Sequence, residues 1–321
     1  MIGIIYAGIK VIMGVSLIGA GYYTAKAIVT EEKEEKEEII KTENILKYEY
    51  FPTEKVNTDK KDNVIKYTFI EGDKEGIKVC IGYDIDENLK IIDILEGHLL
   101  IGGMSNMGKS NILNIIITNI IRTYTSNEVI LGGCDYVESD IYYFRRYKHF
   151  ENIGVSSNKE AFLNQMKYLE QEMERRAKIL DKANCRNAIA YNKKHDTKMT
   201  YIVFVVDELP QLTVDKTCRD KLHTIMSKCR KYGIYFIIGT QDVTKDIIGR
   251  CKMNCSQVIG LKTNDETDSI TLIGKGYDLQ NITTKGRCKI KNSEGVNEVQ
   301  AFYISEEEIE ATLKPFEIVR E

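Results

Sequence analysis

Two short stretches carry residues that could do chemistry together. The first is Gly103-Met104-Ser105-Asn106-Met107-Gly108-Lys109-Ser110-Asn111. Its paired glycines allow a tight turn that brings backbone N–H groups onto phosphate oxygens. Lys109 would pair with the β- and γ-phosphates of ATP, and the Ser110 hydroxyl would ligate Mg²⁺. Residues 103–111 are therefore the expected nucleotide cradle, with ATP and Mg²⁺ as cofactors. The second stretch is Asp207-Glu208, two acids closing an apolar run. Asp207 would hold Mg²⁺ through water, and Glu208 would polarise the water that attacks the γ-phosphate. This second acid is what points to hydrolysis and not binding alone. Gln241 ends the next apolar run and is placed to sense the γ-phosphate, an ordinary solvated strand end being the alternative.

Such residues converge only if particular elements carry them. His98-Leu99-Leu100-Ile101 reads as a buried strand entering the glycine loop, and Asn111-Ile112-Leu113-Asn114-Ile115-Ile116-Ile117 reads as the helix leaving it, whose positive end faces the bound anion. Further apolar runs at 129–135, 201–206, 235–241 and 257–261 alternate with helical patterns at 159–194, 216–231, 245–250 and 265–273. Strands near 287–291 and 297–304 and a last helix from Glu306 complete the order. The alternation predicts an α/β fold with a mostly parallel sheet buried on both faces. Ligands in such folds sit at the carboxyl ends of the strands, which is where Asp207 falls. Before the core, residues 47–96 contain β-like runs at 64–70, 76–82 and 89–94, expected to form a small β subdomain.

Composition excludes several classes. The 321 residues are 43% hydrophobic with a formal net charge of -3, so the chain is neither disordered nor fibrous. Residues 31–38 alone carry six acids and two lysines; the remainder is near neutrality and neither demands nor excludes nucleic acid. Eight cysteines are scattered with no Cys-x-x-Cys pair, which favours reduced core thiols over disulfides or a zinc site.

Residues 2–29 carry no charge except Lys10 and Lys26. The stretch 11–29 is 19 residues long, about 28 Å as a helix, enough to span a bilayer. A single transmembrane helix within 1–30 is expected, with a charged stalk over 31–46, a β subdomain over 47–96 and the ATPase domain over 97–321. A cleavable signal peptide and a buried core helix are the alternatives. An ATP-binding domain must face ATP, so Lys26, Lys33 and Lys36 would lie on the cytoplasmic side, as the positive-inside rule requires.

The sequence resembles the FtsK/SpoIIIE family of membrane-anchored DNA translocases, RecA-like P-loop motors that assemble into rings. Besides the two stretches above, the resemblance rests on Ile81-Gly82-Tyr83-Asp84, Glu172-Met173-Glu174-Arg175-Arg176, Arg186-Asn187-Ala188-Ile189-Ala190-Tyr191-Asn192, Lys228-Cys229-Arg230-Lys231-Tyr232-Gly233 and Asp265-Glu266-Thr267-Asp268-Ser269. It covers roughly residues 78–315. The resemblance implies a homo-oligomer, a hexameric ring, in which Arg230 reaches the γ-phosphate of the neighbouring subunit. A solvent-facing arginine beside Lys228 and Lys231 is the alternative. It also implies that 242–256 faces DNA in the pore, with Lys245, Arg250 and Lys252 as phosphate contacts.

Two departures bear on the DNA contact. Asp242-Val243 stands where the family has Arg-Pro, and Asp135-Tyr136-Val137 where it has Asp-Pro-Lys, so positive charges that face DNA in the family are missing. No C-terminal winged helix is expected, which makes the chain similar to FtsK-like proteins of conjugative and other mobile elements. The expected function is ATP-driven movement of DNA, double-stranded and without sequence specificity, from a bacterial cell membrane, in conjugative transfer or partitioning. An ATPase of a protein secretion system and a nucleotide-binding membrane scaffold without turnover are the rival readings.

Overall fold

A computed structural model of the chain describes residues 2–6, 9–13, 65–67, 69 and 76–318. The chain divides into two units, 1–54 and 55–321. In the first, β1 (Ile2–Tyr6) pairs antiparallel with β2 (Ile9–Met13), both rich in the β-branched residues that favour extended backbone. Residues 11–13, where the membrane helix was expected to begin, are thus strand; the rest of that segment and the 31–46 stalk lie outside the described residues. Among the described residues no helix is long and apolar enough to cross a membrane.

The second unit is built on one mixed sheet. Its strands are β3 (Ile65–Lys66), β4 (Lys78–Asp84), β5 (Leu89–Asp93), β6 (His98–Gly102), β7 (Val129–Cys134), β8 (Gly154–Ser156), β9 (Tyr201–Val206), β10 (Ile234–Thr240), β11 (Cys255–Gly260), β12 (Arg287–Asn292) and β13 (Gly295–Tyr303). They lie in the order β5-β4-β13-β12-β11-β6-β10-β9-β7-β8, with β3 against β13. From β11 to β8 every pairing is parallel; from β11 to β5 every pairing is antiparallel.

The helices are α1 (Lys109–Thr123), α2 (Lys159–Lys182), α3 (Ala188–Lys194), α4 (Leu209–Thr213), α5 (Lys216–Met226), α6 (Lys245–Asn254), α7 (Glu266–Leu272) and α8 (Glu306–Leu313). They cover both faces, which explains why the parallel strands are apolar throughout. Along β6, Leu99 and Ile101 pack into the layer that holds α1, while Leu100 packs into the layer that holds α2 and α5. A shift of one residue in β6 would exchange these layers and move the glycine loop with them.

Two expectations change. The β run at 76–94 is not a separate subdomain: β4 and β5 extend the same sheet, because β4 pairs with β13 and its Val79 and Ile81 pack in the layer with α1. The helical pattern at 159–194 breaks after Lys182, where Asn184 takes a left-handed φ of 49°, and Asn187 restarts the chain as α3 by accepting the Ala190 N–H at 2.8 Å.

Candidate active site

The glycine loop joins β6 to α1. Gly103 has φ +151° and a methyl there would lie 2.6 Å from Leu261 Cβ; Gly108 has φ +111°. Neither conformation suits a residue with a side chain. The Met104 N–H donates to Lys262 O at 2.7 Å, and the Gly286 N–H donates to Met107 O at 3.0 Å. Both ends of the loop are therefore tied to neighbouring segments while the first N–H groups of α1 remain without helical partners. A cleft of about 520 Å³ lies over the loop, lined by Ser105, Lys109, Ser110, Lys285 and Phe302 among others. A second, of about 700 Å³, adjoins it through Met104, Ser105 and Gln241 and is lined by Glu208 and Asp242.

The structure brings the acid pair to the loop. Lys109 is 5% exposed, and its Nζ lies 2.5 Å from Asp207 Oδ1 and donates to the Asp207 carbonyl at 2.9 Å. Glu208 Oε2 is 3.8 Å from the same ammonium. Burial pushes the Asp207 carboxyl up to about 6, against the pull of Lys109, and burial raises that of Glu208 as well. Glu208 Oε1 accepts the Gln241 N–H at 2.9 Å, whereas Oε2 is buried without a hydrogen-bond partner. One oxygen is thus held and the other is available, the arrangement a base needs to receive a water. The Gln241 side-chain oxygen accepts from the Ser105 hydroxyl, so Gln241 connects the loop to Glu208.

Asp140 completes the group and was missed in the sequence reading. It accepts from the Ser110 hydroxyl and lies 4.0 Å from Lys109 Nζ. Its signal was available: Asp135 follows the apolar β7 as Asp207 follows β9, and acids come soon after it. Ser110, Asp140 and Asp207 offer hard oxygen donors suited to Mg²⁺. Among the described residues no three His, Cys, Asp or Glu side chains could hold a metal by themselves, so water and phosphate would complete the shell, as is usual for Mg²⁺.

Other expected residues are placed differently. The Asn111 side chain donates to Phe302 O at 2.6 Å and accepts the Ile304 N–H at 3.0 Å, fastening α1 to the end of β13 at the edge of the cleft. Arg230 is exposed on a 3₁₀ turn, Cys229–Tyr232, and a methyl on Gly97 would lie 2.9 Å from its Nη1. That is the amino end of β6, one strand length or roughly 16 Å from the glycine loop. Arg230 and Lys109 of one chain do not meet. On α6, Lys245 and Arg250 are exposed, and Arg250 lies 3.9 Å from Asp220. Lys252 instead donates to the Thr271 carbonyl at the end of α7, and burial lowers its pKa. It is tied down and not presented beside the other two.

The particular motifs have structural work. Arg176, 1% exposed, donates to Glu172 Oε1 and to the Tyr232 carbonyl, both at 2.7 Å, and so fixes the turn that carries Arg230. Asn192 donates to Met199 O at 2.9 Å and accepts its N–H at 2.7 Å, pinning the approach to β9. The eight cysteines are thiols, and burial raises those of Cys134, Cys229, Cys251 and Cys288.

The family model for FtsK/SpoIIIE matches residues 62–248, more than half of the chain. A DNA translocase FtsK from Leptospira interrogans is 30% identical over 251 residues, 74% of this chain and 26% of the relative. The chain spans about a quarter to a third of the length of the curated relatives it matches. Among solved structures, the pCW3 conjugation coupling protein TcpA, in monomer form with ATPγS, superposes with a TM-score of 0.66 at 25% identity, covering 79% of this chain and 74% of that one. EssC (ATPases 2 and 3) from Geobacillus thermodenitrificans superposes with a TM-score of 0.68 at 18% identity, covering 78% and 51%, and bears on the fold alone.

Proposed function

The chain belongs to the FtsK/SpoIIIE family, and from that premise we propose that it hydrolyses ATP with Mg²⁺ and couples turnover to movement of DNA. The observation that carries hydrolysis is Glu208: one oxygen is anchored by the Gln241 N–H, and the other is buried 3.8 Å from the Lys109 ammonium without a hydrogen-bond partner. A purely nucleotide-binding scaffold has no use for that second acid. DNA as the cargo is supported by the relatives' description as DNA translocases and by the exposed cations Lys245 and Arg250 on α6. Contacts of that kind grip the phosphate backbone without reading sequence. Likeness to a conjugation coupling protein supports a mobile-element setting.

The working form is a ring, hexameric by family resemblance, because Arg230 is exposed yet distant from the loop of its own chain and can serve only a neighbour. The N-terminal segment within residues 1–30 tethers the ring to the bacterial membrane with the ATPase in the cytoplasm, as the family resemblance implies. The test of hydrolysis is Glu208→Gln. This variant is expected to bind ATP as the parent does while turnover falls by about 10²- to 10⁴-fold, the usual weight of a general base. Parental turnover in the variant would remove Glu208 from the chemistry and restore the scaffold reading.

A further inference from the structure

Asp140 reaches Ser110 through a loop that Asp135 organises. Asp135 is 2% exposed at the end of β7. Its Oδ2 accepts the N–H groups of Asp140, Ile141 and Tyr142 at 3.0, 3.1 and 3.2 Å, and its Oδ1 accepts that of Val137 at 3.2 Å. Glu138, inside the same loop, takes a left-handed φ of 57°, a strain that persists only where the surroundings impose it. The result is that the Asp140 carboxylate sits against the Ser110 hydroxyl with its side chain 26% exposed.

A hydroxyl that ligates a cation does so through its lone pairs, and its proton then needs an acceptor on another side. Asp207 is engaged with Lys109, and the Ser110 hydroxyl donates its hydrogen bond to Asp140. The two acids divide two tasks. Charge points the same way: Asp140, Asp207 and Glu208 lie within 4.0 Å of a single ammonium. Ionised, they repel a bare triphosphate and attract a divalent cation.

We infer that Asp140 is a positioning residue for the cation: it accepts the hydrogen bond of the Ser110 hydroxyl so that the hydroxyl lone pairs face Mg²⁺, and it makes nucleotide binding depend on that ion. The inference rests on the ATP-binding reading. It is a statement about metal affinity, so activity is not its readout.

The test is equilibrium titration of the full chain with the fluorescent nucleotide mant-ADP, once in EDTA and once in saturating Mg²⁺. The parent, Asp140→Ala and the isosteric Asp140→Asn are compared. The gain in affinity on adding Mg²⁺ is expected to fall by about tenfold in Asp140→Ala, the scale of a lost partner to a metal ligand, and by less in Asp140→Asn, which keeps an acceptor oxygen. Affinity in EDTA is expected to stay the same or rise, since a negative charge has gone. An undiminished Mg²⁺ gain in Asp140→Ala overturns the inference. So does an equal loss with and without Mg²⁺ in both variants, which would mean that the loop merely supports the fold. Absence of mant-ADP binding by the parent in either condition would instead remove the ATP-binding reading.

Discussion

Lys109 and Asp207 meet at 2.5 Å across 98 residues of chain, and the ammonium also takes the Asp207 carbonyl at 2.9 Å. The start of α1 is thereby latched to the carboxyl end of β9. The cost of burying the carboxylate shows in its proton affinity, which burial raises to about 6.

A pH limb follows from that value. Asp207 can hold a cation or its water only when ionised, and its raised pKa moves the loss of the ionised form upward, from the ordinary carboxylate range near 4 to about 6. Burial raises the Glu208 carboxyl in the same direction. We expect kcat/KM for ATP, which reports groups of the free enzyme, to be level above pH 7 and to fall as pH drops through about 6. A profile that stays level down to pH 5 would contradict this assignment.

The position of Arg230 predicts complementation. Alone, Arg230→Ala is expected to lose about 10³-fold or more of turnover, the scale of an arginine finger, and Lys109→Ala is expected to be inactive. A mixture of the two pairs intact loops with intact arginines at some interfaces and is expected to regain turnover. An inactive mixture, or a mild effect of Arg230→Ala by itself, would return Arg230 to the role of a solvent-facing side chain.

His98 makes stability pH-dependent. It is fully buried, accepts the Phe236 N–H on Nδ1 at 2.9 Å, and donates from Nε2 to the Met226 carbonyl at 2.9 Å, which requires the neutral ring. Burial lowers its pKa to about 4. The unfolded chain therefore takes up the proton first as pH falls, near 6.5. The stabilisation is present in full above 6.5 and is lost between 6.5 and about 4. Urea unfolding is expected to show about 2 kcal/mol less stability at pH 5 than at pH 7 from this group. In His98→Gln that decrement should disappear. An unchanged pH dependence in the variant would assign the effect elsewhere.

Much of the site was legible because it depends on local patterns. A strand, a glycine turn, Lys109 and Ser110 are contiguous, and Asp207-Glu208 closes a strand whose neighbours are apolar. The edge of the sheet was not legible: the hairpin of β4 and β5 looks like a subdomain until its pairing with β13 is known, and pairing across some 200 residues leaves no periodic trace. The side-chain partners of Asn111 and Lys252 were not legible for a related reason. Their types suit a ligand, and in the fold each also donates to a backbone carbonyl of a distant segment, Phe302 and Thr271 respectively. Asp140 was overlooked because its position is set by Asp135 through backbone contacts that spacing alone does not announce.

The most direct measurement is the ATP turnover of the full chain with and without double-stranded DNA, at low and moderate salt, beside Lys109→Ala. A DNA-driven motor that grips phosphates predicts strong stimulation by DNA, weakening as salt rises because counterion release drives the contact, and no turnover in the variant. Turnover that is abolished by Lys109→Ala yet indifferent to DNA at every salt concentration would contradict DNA as the cargo.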